Sequence, residues 1–133
     1  MLGIRGAGVS AAIAAGFTAV VCTAPGCRSS LSDQLLADLR AAVRGSRRGV
    51  LVVSGCTLGA VACRLRPPAP LVVVQPCDLR RRPVGPAVRV GPLHSRTDVA
   101  ELARWLAGAR FDVDDLPAHL AATHRAVGAA NVN

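Results

Sequence analysis

The residues best equipped for chemistry in this chain are its five cysteines, Cys22, Cys27, Cys56, Cys63 and Cys77. The first four fall into two pairs, with four residues between Cys22 and Cys27 and six between Cys56 and Cys63. Thiols in such groups ligate metals, exchange disulfides or pack as small buried hydrophobes. Four thiolates is the number that both a 2Fe–2S cluster and a structural zinc ion take. An odd total would leave one thiol unpaired in a secreted disulfide framework, so it points to a reducing compartment. Neither pair has the two-residue spacing of a thioredoxin-type redox motif.

Other chemical constellations are weaker. His94 is distant in sequence from His119 and His124, and each reads as a surface histidine. Asp112, Asp114 and Asp115 resemble an acidic helix start, with no opposing carboxylate to form an acid–base pair. Gly55 and Gly59 do not begin a phosphate loop, because the chain contains no lysine at all. Ser29 and Ser30 read as helix caps. No nucleophile, base and orienting group occur together, which leaves a hydrolase without support.

The elements that must position the cysteines follow from hydrophobic period and turn chemistry. Phe17–Cys22 is a short apolar run rich in β-branched residues and ends at Thr23-Ala-Pro-Gly26, a strand passing into a loop. From Ser29 to Arg44, apolar residues recur at Leu31, Leu35, Leu36, Leu39, Ala42 and Val43, with Asp33 early and arginines late. That spacing predicts an amphipathic helix closed by Gly45. Val50–Val53 predicts a strand buried on both faces. Strand, helix, strand in this order gives a parallel pair joined by a right-handed crossover. After a Cys56–Cys63 segment stopped by Pro67 and Pro68, Leu71–Gln75 and Ala87–Val90 predict two further strands pairing as a hairpin. A second helix opens at Thr97, a candidate cap, buries Val99, Leu102, Ala103 and Leu106, and stops at Gly108. The stretch from Phe111 through Arg125 reads as a polar tail. Residues 1–16 are expected to be an extension, 17–120 one domain, and 121–133 a tail. The expected class is α/β: a thioredoxin-like, four-stranded mixed sheet with flanking helices.

This topology gathers the first four cysteines and sets the fifth apart. Cys22 ends the first strand, and Cys56 follows the second after Ser54 and Gly55. Parallel strands have their trailing loops at one edge, where open α/β sheets place their sites. Cys27 and Cys63 lie in those same loops. The helix near Ser29 aims its partial positive end there, which favours thiolates. Cys77, after an antiparallel third strand, belongs at the opposite pole, on the order of 15 Å away for five residues at about 3.3 Å each. It reads as a buried or hairpin thiol.

The bulk properties narrow the partners. The 133 residues suffice for one domain, and 51% are hydrophobic, so a core without disulfides is expected. One Trp, two Phe and no Tyr mean that Val, Leu, Ala and Ile must fill it. The formal net charge is +8, yet all 16 basic residues are arginine and most are scattered. With abundant Ala, Gly, Pro and Val, that is the pattern of GC-rich coding. No aromatic residues interleave the arginines to stack on bases, so the reading is no nucleic acid and instead an acidic protein partner. Arg5 and the run Val9–Val21 outline a weak signal-like segment, too short and too weakly apolar for a membrane span. Val20 and Val21 stand where a lipid-acceptor cysteine would have a small residue before it. The expectation is a cytoplasmic protein without a membrane.

The stretch Gly55-Cys56 through Ala62-Cys63 to Pro70-Leu-Val-Val-Val-Gln-Pro76 resembles the thioredoxin-like 2Fe–2S ferredoxins. Pro86-Ala-Val-Arg-Val-Gly91, Thr97–Leu106, Gly108 and the closing Phe111–Leu116 extend the resemblance, which covers roughly residues 17–120. The two cysteine gaps differ from the family's usual spacing, which has a longer first gap and a shorter second one. The resemblance implies cluster ligation by Cys22, Cys27, Cys56 and Cys63 and one-electron transfer with an acidic redox partner, commonly by a homodimer. Two other readings stand beside it. One is a thiol–disulfide protein using Cys22 with Cys27 or Cys56; the other is a zinc-binding or metal-free interaction module with a vestigial ligand set.

Overall fold

Alternation of burial along Phe17, Thr18, Ala19, Val20 and Val21 marks a strand with one face in the core. In the computed structural model, which describes residues 14–22, 30–46, 49–54 and 69–132, this strand is β1 (Gly16–Cys22). It is followed by helix α1 (Ser32–Gly45), strands β2 (Gly49–Ser54), β3 (Val72–Cys77) and β4 (Val88–Val90), and helix α2 (Arg96–Gly108). A short 3-10 turn (Val113–Asp115) and helix α3 (Ala118–Val132) close the chain.

The sheet order is β2-β1-β3-β4, with β1 and β2 parallel and β3 antiparallel to both β1 and β4. This is the expected four-stranded mixed sheet with flanking helices, an α/β fold compatible with the thioredoxin-like arrangement. Residues opposite one another in register share a face, so Phe17, Ala19 and Val21 line up with Val72, Val74, Val88 and Val90. Leu35 and Leu39 of α1, Leu102 and Leu106 of α2, and Leu120 of α3 cover that face as one cluster. Trp105 and Phe111 close its end, edge to face at 5.8 Å, and the indole N–H donates to the Asp112 carbonyl at 2.8 Å.

The strand after α1 begins at glycine for a local reason. A Cβ at Gly49 would run into Ser46 Oγ and the Phe17 ring. Pro76 is tolerated inside β3 because its carbonyl accepts from Val84 N–H on the side away from β1. Its missing N–H therefore removes nothing from the β1 ladder.

Several sequence expectations are corrected. β2 is an edge strand rather than one buried on both faces, with Val50, Val52 and Val53 at 42%, 40% and 48% exposure. A run of valines has no amphipathic signature, so it cannot tell a central strand from an edge. The α1 N-cap is Leu31 with no side-chain cap, and α1 ends on Ser46, whose N–H and hydroxyl both donate to Val43 O. The α2 cap is Ser95 rather than Thr97: its hydroxyl accepts Asp98 N–H at 3.2 Å. Gly108 is still helical, and Ala109 takes the left-handed closing position at φ 57°. The supposed polar tail is α3, which runs on through residue 121 with Leu120 and Ala121 buried. Residues 1–13 of the expected extension lie outside the described residues, while Ala15 N–H already donates to Cys77 O.

Candidate cysteine site at one pole of the sheet

Parallel pairing of β1 with β2 puts Cys22 opposite Ser54, so the chain leaves both strands at the same edge. Gly55 and Cys56 are the next two residues. β3 starts at this edge too, with Val72 opposite Val21, and Cys22 N–H donates to Leu71 O at 3.2 Å. The helix α1, connecting β1 to β2, starts here, and its partial positive end faces the pole. Cys27, Cys56 and Cys63 fall outside the described residues, so of the four candidate ligands only Cys22 is placed.

Cys22 is buried at 1% exposure, and its sulfur has no hydrogen-bond partner among the described residues. Cys77 differs in every respect but burial. It stands opposite Gly16 at the far end of β1, its Sγ lies 3.9 Å from Thr18 Oγ1, and it donates to Gln75 O at 3.4 Å. It is a packed thiol at the opposite pole, as the antiparallel direction of β3 implied, and it is the last residue of that strand rather than one beyond it. Among the described residues no three His, Cys, Asp or Glu side chains gather as a metal site.

A polar constellation that sequence reasoning passed over centres on Asp98. Its Oδ1 lies 2.7 Å from His119 Nε2 and its Oδ2 accepts His94 N–H at 2.9 Å. Burial pushes the Asp98 carboxyl up, but the hydrogen bonds of His119 and His94 N–H outweigh it and hold it below its ordinary range. Asp98 thus joins the start of α2 to the start of α3. The two contacts make Asp98 a clamp between these helix starts. A histidine beside an aspartate was invisible in sequence because 21 residues separate them. His124 is also engaged: its Nδ1 accepts Arg89 N–H at 3.2 Å from β4. Burial, then the charges of Arg89 and Arg125, push its pKa down.

The arginine run at 80–82 is a tight turn. Asp78 Oδ1 accepts the N–H of both Arg80 and Arg82, and these bonds hold its pKa down against the opposing effect of burial. The Arg81 guanidinium folds back to donate to Phe17 O and, at 2.6 Å, to Thr18 Oγ1. Asp112 caps the 3-10 turn by accepting Asp114 N–H, as its acidic cluster suggested. A groove of about 940 Å³ lies at the pole opposite Cys22, between the ends of α1 and α2, and is lined by Phe17, Ala42, Ala107 and Phe111. Its volume would suit a ligand, and small apolar residues make up most of its lining. Asp38 accepts from Gln34 and Ser46 donates to Val43 O.

The fold class is thus α/β, defined by the mixed sheet and its flanking helices. No family model, curated protein or solved structure matches the chain. No described helix is long and apolar enough to cross a membrane.

Proposed function

We propose that this chain is a cytoplasmic one-electron carrier that holds a 2Fe–2S cluster through Cys22, Cys27, Cys56 and Cys63. The observation that carries the reading is the register of Cys22 with Ser54, because it ends at one edge of the sheet the two strands that the other three cysteines follow in sequence. The donor set suits the group: a buried sulfur without a hydrogen-bond partner among the described residues, three further thiols in the stretches of sequence that follow β1 and β2, and a helix start that favours thiolates. When bound, the cluster supplies a single reversible electron. The protein's part is to bury it, to tune it by what surrounds the sulfurs, and to dock an acidic redox partner on an arginine-rich surface.

Anaerobic purification with iron and sulfide quantification tests it. The expected result is a coloured protein holding iron and acid-labile sulfide in equal amounts. A colourless chain that takes up no iron on reconstitution would end the proposal. Zinc bound in place of iron would move the site to the structural-zinc reading instead.

A further inference from the structure

The two edges of the sheet are finished differently. On β4, α3 provides the acceptors: Leu120 O takes Gly91 N–H at 2.9 Å, and His124 Nδ1 takes Arg89 N–H. On β2, no hydrogen bond among the described residues reaches the outer side. From Gly49 to Ser54 there is no charge and no proline, the usual devices that blunt an edge, and three valines stand exposed. An edge of this kind is a template for an added strand.

Charge decides what kind of strand. On α1, Gln34 and Asp38 lie on the flank toward α2, where Gln34 Oε1 accepts from Arg96 at 3.3 Å. At about 100° per residue, Arg40 and Arg44 lie roughly 120° round from them, on the outward flank away from α2, and α1 itself packs on β2. Both are exposed and neither forms an ion pair among the described residues. In a chain of net charge +8, this edge suits a partner carrying carboxylates better than a second copy of itself.

We infer that the outer edge of β2 docks an extended acidic segment of another protein, which joins the sheet as a fifth strand with its carboxylates beside Arg40 and Arg44. The inference goes beyond the cluster reading and does not depend on it. Because Ser54 is opposite Cys22, a partner held there would end beside the cysteine pole.

The test uses the full chain, isotope-labelled, with three synthetic peptides of eight residues: alternating valine and glutamate, alternating valine and lysine, and the glutamate peptide with a central proline. The glutamate peptide should slow hydrogen exchange of β2 amides by on the order of tenfold, and the other two should not. Arg40→Glu with Arg44→Glu should weaken that peptide's binding about tenfold, and Val52→Lys should abolish it. Equal binding of the lysine peptide, unchanged β2 exchange, or self-association that slows the same amides without peptide would overturn the inference. Protection by the glutamate peptide in a chain that takes up no iron on reconstitution would support the edge while ending the cluster reading, so the two proposals fail separately.

Discussion

Cys22 and Cys77 sit at opposite ends of one antiparallel strand pair. Cys22 is the last residue of β1, and Cys77 stands opposite Gly16, the first. About 20 Å of extended chain separates those ends. Both thiols are buried, so burial does not distinguish them; engagement does, since only Cys77 has polar partners among the described residues. If Cys22 is a ligand, Cys22→Ser should lose most bound iron and visible absorption, whereas Cys77→Ser should keep both. Metal analysis of the two variants, prepared side by side, decides. Equal iron in both would remove Cys22 from the ligand set.

The Asp98 clamp has a structural role that stability measurements can read. Asp98→Ala removes the acceptor of His94 N–H and the partner of His119 from a side chain that is 9% exposed. It should lower the unfolding free energy by about 2–4 kcal/mol. Asp98→Asn keeps an acceptor for His94 N–H and should lose less, about 1 kcal/mol. Urea unfolding with an unchanged m-value is the check, since a changed m-value would signal a different denatured state.

His124 accepts a hydrogen bond through Nδ1, so it must be neutral there to hold α3 to β4. Its pKa is depressed in the fold, by burial first and then by Arg89 and Arg125. A depressed folded value means that the unfolded chain takes up the proton first. The contribution is therefore complete above about pH 6.5 and is lost as pH falls through the lower folded value. His124→Gln, which offers an acceptor that does not titrate, should flatten stability against pH below about 6.5. An unchanged slope would show that His124 does not couple to folding.

Ala109 closes α2 in the left-handed region at φ 57°, where a side chain is disfavoured and glycine is not. Ala109→Gly should stabilise the protein by about 0.5–1 kcal/mol. A thermal midpoint that rises by a few degrees would confirm it, and a fall would show that the Ala109 methyl contributes packing along the groove it lines.

The sequence by itself determined the order of elements from β1 through α2, the parallel β1–β2 pair and the separation of Cys77 from Cys22. Each rests on a local pattern: apolar runs of strand length, the 3.6-residue period of α1 and α2, and the turn residues between them. What it could not determine depends on distant partners. A run of valines reads the same at an edge as in the middle of a sheet, so only the order β2-β1-β3-β4 exposed Val50, Val52 and Val53. Asp98 and His119 became a pair only when α3 packed against the start of α2. The weak amphipathicity of α3 hid a helix that the core requires, because Leu120 and Ala121 have a place to be buried only once β4 has formed. Periodicity is carried along the chain, whereas edges, clamps and covered faces are set by which surfaces meet across it.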